Sequence, residues 1–289
     1  MVAISEDLPL PPRRFSLPTA IRRNPTITFG AVLLFLLIAV AIVGPFFVGD
    51  PFKIAPVNRL RPPSERWWFG TDQFGRDVFT RTIYGARVSL IVGLTVAAIS
   101  SVLGLVLGLA CGYFRRIDGI VMRIMDGVMA IPSILLAIAL ITLTRPGLGI
   151  VIVAIVIPEV PRIVRVVRAV VLSIRAQPYI ESAIAGGTKN VKLLWRHVVP
   201  NTLAPLIVQA TYVCASGMLI EASLSFLGAG VPLEIPSWGN IIAQGRSFFQ
   251  IAPWTILIPG GFLALTVLAV NLLGDGLRDR LDPRLARRL

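Results

Sequence analysis

Long apolar runs separated by short polar segments set the pattern of this chain. A helix needs about 20 apolar residues to cross roughly 30 Å of hydrocarbon. The chain has several windows of about that length. Each contains no charged residue, or none in its first part. They predict an all-α integral membrane protein with six transmembrane helices, at residues 26–48, 88–114, 127–144, 148–171, 201–220 and 251–274.

The fourth of these windows changes character after Pro158. It then carries Glu159, Arg162, Arg165 and Arg168. Charged side chains are costly in hydrocarbon, and long arginine side chains can reach back to the lipid headgroups. This window therefore predicts a helix that leaves the bilayer early, with its arginines at the headgroups.

The segment at 173–200 is too polar to be a seventh span. Its eight Ile, Leu or Val residues contribute at most about −0.5 kcal/mol each at the bilayer centre, whereas its five charged residues cost about 2.5 to 3.5 kcal/mol each. Apolar positions at helical spacing flank Gly186 and Gly187, which predicts two short amphipathic helices joined at these glycines. From the pattern alone, this helix pair either binds another protein or lies on lipid headgroups.

Composition places the chain in the membrane class. Of its 289 residues, 55% are hydrophobic, and the mean hydropathy of +0.79 is far above that of an ordinary soluble domain. The net charge of +13 does not indicate nucleic-acid binding, because Lys and Arg collect in cytoplasmic loops and near anionic lipid. Cys111 and Cys214 lie within apolar runs and predict neither a disulfide nor a metal site.

The distribution of basic residues predicts the topology. Most of the 28 Lys and Arg residues fall in segments that are cytoplasmic if both termini are inside. The external loop at 49–87 is itself rich in arginine, which weakens this argument without reversing it. The first window is longer than a signal-peptide core, and no small-residue cleavage pattern follows it, so we expect it to be retained.

The stretch YIESAIAGGTKNVKLLWRHVVP, at 179–200, resembles the EAA loop of the inner-membrane permeases of binding-protein-dependent ABC importers. That loop has a Glu-Ala-Ala start, a glycine four residues after the last alanine, and a Leu-Pro end. The stretch matches in register, except that Ser182 replaces the middle alanine and Val199 the leucine. By this resemblance, the residues that couple to an ATPase are Glu181, Ser182, Ala183, Gly186, Gly187, Arg196 and Pro200.

Further stretches resemble the dipeptide, oligopeptide and nickel branch of these permeases, and together they cover most of the chain after residue 70. They are GTDQFGRDVFTR (70–81), YGARVSLIVGL (84–94), RHVVPNTLAPLIV (196–208), EASLSFLGAG (221–230), PSWGNII (236–242) and NLLGDGLRDRLDPR (271–284).

The resemblance implies a type I ABC importer transmembrane domain in the inner or plasma membrane. Its expected partners are a second permease, two ATPase subunits that hold ATP and Mg, an extracytoplasmic binding protein and membrane lipid. We expect no cofactor and no metal on this chain.

The expected organisation is a tail, first helix and external loop at 1–84, the transmembrane domain at 85–278 with its coupling loop at about 173–200, and a basic cytoplasmic tail at 279–289. Di- or oligopeptides are the expected substrate, and nickel remains open.

The loop GTDQFGRD allows two interpretations. One is a turn-rich segment anchored at the membrane interface by Trp67 and Trp68. The other is a role in an external gate or in receptor contact. The residues concerned are Gly70, Thr71, Asp72, Gly75, Arg76 and Asp77.

Carboxylates near or inside the membrane are functional candidates by default. Glu221 has no obvious partner nearby in the sequence and is the main candidate for a position in the transport pathway. For Glu159 and Asp126, ion pairs on their own helices, with Arg162 and Arg123, are a sufficient explanation.

Gly104, Gly108 and Gly112 recur every fourth residue, which predicts close packing against another helix. For His197, packing or capping is favoured over metal ligation, because the chain has no second histidine.

No phosphate-binding loop G-x-x-x-x-G-K-[ST] occurs in the sequence, so any ATP is expected on another chain. A proton-coupled secondary transporter that uses Asp126, Glu159 or Glu221 is the alternative from another class, although no repeated pair of broken helices supports it. An intramembrane hydrolase lacks any suitable cluster of catalytic side chains.

Overall fold

The computed structural model describes residues 25–144 and 147–281. Its α-helices in chain order are α1 (Pro25–Val43), α2 (Val78–Tyr113), α3 (Arg115–Ala130), α4 (Ser133–Thr142), α5 (Leu148–Arg175), α6 (Pro178–Ala185), α7 (Asn190–Leu193), α8 (Val199–Phe226), α9 (Trp238–Gly245) and α10 (Trp254–Leu281). The predicted N-terminal tail up to residue 24 and residues 282–289 of the predicted basic tail lie outside the described residues.

Short irregular helices complete the described chain. Three are 3-10 turns, at Gly44–Phe46, Pro56–Asn58 and Arg246–Phe248, and one is a π turn at Leu194–Val198. Thr71 and Asp77 form an isolated antiparallel bridge.

Four helical stretches of the described chain are long and apolar enough to cross a membrane: Pro25–Phe46, Val78–Tyr113, Asn190–Phe226 and Trp254–Arg280. They confirm four of the six predicted spans with shifted ends. Helix α2 begins ten residues before its charge-free window, because the Asp77 side chain caps it by accepting hydrogen bonds from the backbone N–H groups of Phe79 and Thr80.

The span predicted at 127–144 is wrong as a single helix. Helices α3 and α4 meet at a bend of 89°. Pro132 follows the bend and disfavours helical backbone at Ile131, which is extended with φ −93° and ψ 128°. Helix α4 has ten residues and rises only about 15 Å. By length and composition, the described chain therefore has four helices that could cross a membrane, or five if this bent pair counts as one span.

The charges of helix α5 exclude it from that count. It continues for 28 residues through Pro158 and Pro161. Each of its three arginines binds a carboxylate, and their predicted placement at the headgroups stays a prediction. The pairs are Arg162 with Glu159, Arg165 with Asp126, and Arg168 with Asp118.

One predicted ion pair is therefore confirmed and the other is not. Arg162 Nη1 lies 3.0 Å from Glu159 Oε1, on the same helix as expected. Asp126 instead binds Arg165 of α5, at 2.6 Å, and not Arg123 of its own helix. Together with the Arg168–Asp118 pair, this contact joins α3 to α5.

The glycine stripe of α2 packs against α5, as predicted. A Cβ added at Gly104, Gly108 or Gly112 would lie 2.4 to 2.6 Å from side-chain atoms of Ile163, Val167 or Val171, respectively. Residue numbers rise together along this contact, so α2 and α5 run in the same direction. The absence of a glycine side chain allows this close approach.

Segments 49–77 and 178–200 lie at opposite ends of α2. Near its start, the Thr82 carbonyl accepts a 3.0 Å hydrogen bond from Trp238 Nε1 of α9. At its last residue, Tyr113 contacts Asn190 of α7. Helix α8 runs back from the 178–200 end and packs against α9. At this contact, a Cβ on Gly239 would lie 2.6 Å from the Cα of Ala222.

Candidate functional site

The 178–200 segment contains the predicted glycine break, and the structure assigns it to one residue. Gly187 has φ +77°. Its N–H donates to the Ile184 carbonyl at 2.9 Å, and the next N–H, of Thr188, donates to the Ala183 carbonyl at 3.1 Å. This is the Schellman arrangement that ends a helix. Gly186 has φ −74°, which any residue adopts, so only Gly187 requires glycine.

The segment divides its apolar side chains between the subunit and the surface. Four of the larger ones are buried: Ile180, Leu193, Val198 and Val199. Four are exposed and form what we call the apolar patch: Tyr179, Ile184, Val191 and Trp195. The most exposed large one is Trp195, at 70%. The sequence pattern predicted apolar positions at helical spacing on both sides of the glycines and did not separate the buried ones from the exposed ones.

The polar residues that the resemblance assigned to this segment are also on its surface. Glu181 and Arg196 are exposed. Ser182 donates its hydroxyl to the Pro178 carbonyl at 3.0 Å. Pro200 is exposed and lies in the first turn of α8, within the continuous helical stretch Asn190–Phe226. His197 lies beside Tyr179, with ring centroids 6.1 Å apart.

Two contacts join this segment to the end of α2. Tyr113 donates its hydroxyl to Asn190 Oδ1 at 2.7 Å. Arg175, at the end of α5, donates Nη1 to the carbonyls of Gly112 and Tyr113 at 3.1 and 2.8 Å and lies over the Tyr113 ring. Nothing in the sequence indicated Tyr113 or Arg175, because their partners are more than sixty residues away.

At the other end, the 70–81 loop is organised around Asp72. Its Oδ1 accepts the N–H groups of Phe74 and Arg76, and its Oδ2 lies 2.7 Å from Arg76 Nε and 3.2 Å from Arg81 Nη1. Arg76 also donates to Gln244 of α9. Asp72 and both arginines are buried. The cluster fixes the loop to the start of α2 and to α9.

The other residues predicted for this loop also have structural roles. Gly70 and Gly75 both have φ +73°, and a Cβ on either would collide with backbone carbonyl oxygens. The Thr71 carbonyl accepts from Trp254 Nε1 at 3.2 Å, and Asp77 caps α2. The sequence could not show that α9 and α10 hold the loop in place.

Glu221 is fully buried at the junction of α8 and α9. Its Oε1 accepts hydroxyl groups from Ser225 at 2.8 Å and Ser237 at 2.9 Å, whereas its Oε2 has no partner among the described residues. Ser237 in turn caps α9 by accepting the Asn240 N–H. Ser225 lies four residues after Glu221, so this local partner could have been identified from helical spacing. Its role in a pathway stays a prediction.

A second buried carboxylate, Glu159, joins α5 to α8. It accepts a 3.0 Å hydrogen bond from Ser216 and binds Arg162 through both oxygens, at 3.0 and 3.2 Å. Among the described residues, no group of three or more His, Cys, Asp or Glu side chains could hold a metal ion.

Similarity to known proteins identifies the family. Residues 100–287 match the family described as binding-protein-dependent transport system inner membrane component. The chain belongs to this family. It is a permease subunit of an ABC importer and not one of the catalytic subunits.

Named relatives cover almost the whole chain. It is 58% identical over 267 residues to a probable peptide ABC transporter permease protein, y4tQ, of Sinorhizobium fredii, with 92% of each chain covered. It is 43% identical to the dipeptide transport system permease protein DppC of Alkalihalophilus pseudofirmus, over 92% of this chain and 88% of that protein.

A solved structure supports the fold. An inward-facing MetNI methionine ABC transporter matches with a TM-score of 0.51 and 22% identity, covering 67% of this chain and 94% of that chain. At this identity the likeness extends to the fold alone.

Proposed function

We propose that this subunit forms half of the translocation pathway of an importer for di- or oligopeptides. The names of its relatives support this substrate class, since the similar proteins include permeases for peptides and dipeptides. The other half would be a second permease. Two ATPase subunits would hold ATP and Mg, and an extracytoplasmic binding protein would deliver the peptide.

The 178–200 segment is the proposed docking element for an ATPase. The observation that carries this step is the apolar patch, which is exposed on a segment whose other side is anchored by Ile180, Leu193 and Val198. An exposed apolar patch rimmed by polar residues is typical of a protein interface. Because α5 leads directly into the segment and α8 leads out of it, movement of the docked ATPase would move both helices together.

In this proposal, the 178–200 end is cytoplasmic and the 49–77 end faces outward. Gly70, Thr71, Asp72, Gly75, Arg76 and Asp77 would then form a rigid external platform for a receptor or gate. Impermeant thiol labelling tests this orientation, with Cys111 and Cys214 replaced. Glu65→Cys should react in intact cells, and Lys189→Cys only after lysis, since both residues are exposed. Labelling of Lys189→Cys from outside would overturn the orientation.

Reconstitution of the importer in proteoliposomes tests the transport function. We expect uptake of a radiolabelled peptide that requires ATP, the ATPase subunits and the receptor, and that persists when an uncoupler removes the proton gradient. Uptake that survives ATP removal and stops with the uncoupler would favour a proton-coupled transporter. Uptake of nickel without uptake of peptides would overturn the substrate class.

A further inference from the structure

The register between α2 and α5 points to a depth near the middle of the membrane for Arg162, which is partly exposed. The contacts of Gly104 with Ile163 and of Gly112 with Val171 set the register between α2 and α5. By the same register, Glu159 is level with Ser100, near the centre of the charge-free stretch 88–114 of α2. The Arg162 side chain, one turn further on, is 36% exposed.

This exposed arginine does not fit a surface that faces lipid. An arginine at the centre of a spanning helix costs about 2.5 to 3.5 kcal/mol on insertion scales, and such residues face a bundle interior or a water-filled cavity. The same face continues onto α8, where Ser216 is half-buried and Tyr212 is exposed. The α5–α8 face is therefore polar at a depth where lipid-facing surfaces are apolar.

The ion pair leaves hydrogen-bonding capacity unused. Glu159 neutralises Arg162 by accepting from Nη1 alone. In the described part of the chain, Arg162 Nε and Nη2 have no acceptor. The N–H groups on these two nitrogens are therefore free to donate to an acceptor that binds transiently.

The same stretch of α5 also carries unused acceptors. Pro158 and Pro161 lie within the helix. Since proline has no N–H, the carbonyls of Ala154 and Ile157 lack their usual donors four residues on. Ile157 is half-buried, on the same stretch as Arg162. Donors and acceptors therefore occur within about two turns of one helix.

We propose that Arg162, positioned by Glu159 and Ser216, binds the carboxylate or carbonyl oxygens of a peptide as it passes the middle of the membrane. The inference rests on the proposed function and deepens it by naming a substrate contact. A peptide main chain offers carbonyls and a terminal carboxylate that can accept from Arg162, and N–H groups that can donate to the Ile157 carbonyl. The C-terminal carboxylate is the strongest of these acceptors for a guanidinium.

The test uses the complete reconstituted importer and two probes, radiolabelled trialanine and its C-terminal amide. The double variant Glu159→Gln/Arg162→Gln removes the ion pair without leaving an unpaired charge. We expect it to lower trialanine uptake per ATP hydrolysed by about 10- to 100-fold, the equivalent of one charge-assisted hydrogen bond. The amide should be affected less, and Arg162→Lys should retain most of the uptake. Arg123→Gln, an exposed arginine of α3, is the matched control.

A second measurement does not depend on transport rates. In the assembled importer with Cys111 and Cys214 replaced, Ile157→Cys and Tyr212→Cys should react with an impermeant thiol reagent, whereas Phe35→Cys on the exposed apolar side of α1 should not. If positions 157 and 212 are as inert as position 35, or if the double variant transports trialanine normally, this inference is overturned. If the unmodified importer takes up no trialanine with ATP, the proposed function fails instead.

Discussion

The hydroxyl of Tyr113 donates a 2.7 Å hydrogen bond to Oδ1 of Asn190, joining the last residue of α2 to the first residue of α7. This contact connects the segment proposed to dock on the ATPase with α2, a helix of 36 residues. Arg175 strengthens the junction, because it binds two carbonyls at the end of α2 and lies over the Tyr113 ring. Movement of the segment can therefore reach α2 as well as α5 and α8.

Removing this hydroxyl should weaken coupling without affecting insertion. A single hydrogen bond contributes about 0.5 to 1.5 kcal/mol, so we expect Tyr113→Phe to lower peptide uptake per ATP hydrolysed by about two- to tenfold. Asn190→Ala should have a similar effect, and the double variant should be no worse than either single variant. Additive losses would show that the two side chains do not act through each other.

Asp72 should be the residue on which the 70–81 loop depends most. Removing one partner of a buried ion pair costs about 3 to 5 kcal/mol, and Asp72→Ala would leave both Arg76 and Arg81 without their carboxylate. We expect a lower melting temperature of the purified complex and faster proteolysis of the loop. Asp50→Ala is the matched control, since the Asp50 side chain is exposed and accepts the N–H of its near neighbour Phe52. Equal stability of the two variants would contradict the account of the loop.

The contact between α2 and α5 should not tolerate even a methyl group. In Gly108→Ala the new Cβ would lie 2.6 Å from Val167 Cβ, and overpacking of this kind typically costs about 1 to 3 kcal/mol. Gly119→Ala, where no atom lies within 4 Å, should be neutral or stabilising by up to about 1 kcal/mol through helix propensity. Thermal unfolding of both variants measures the difference, and a stable Gly108→Ala protein would refute the packing.

The features that the sequence predicted correctly are local ones. Charge-free windows determined four spans, and the four-residue spacing of Gly104, Gly108 and Gly112 correctly indicated a packing face. The span at 127–144 was predicted from hydropathy alone. Pro132 disfavours helical backbone at Ile131, and this effect breaks the helix there. That signal was present in the sequence.

Contacts between distant segments could not be predicted in this way. Asp126 has Arg123 nearby in the sequence, but the fold brings Arg165 to it from 39 residues away. Likewise, the pattern marked Glu221 as isolated, whereas α9 brings Ser237 to its carboxylate. Tertiary packing decides which of several possible partners a charged side chain contacts. Reading a single sequence does not reveal that packing.

The central claim is that the 178–200 segment couples this permease to an ATPase, and Gly187 offers the sharpest test of it. Its φ of +77° is strained for a β-branched side chain, yet no atom lies within 4 Å of an added Cβ. Substitution therefore changes the helix break without a clash. The strain is on the order of 1 to 3 kcal/mol for valine and small for asparagine, which tolerates this conformation.

The decisive measurement is the number of peptides transported per ATP hydrolysed by the reconstituted importer that carries each Gly187 variant. We expect Gly187→Val to insert and assemble but to lower this ratio at least about tenfold. Gly187→Asn should retain most of it, and Gly186→Ala, at an ordinary φ of −74°, should match the unmodified protein. If Gly187→Val is present at normal levels and transports with the normal ratio, the segment is not a coupling element, and a helix pair lying on lipid headgroups would explain it better.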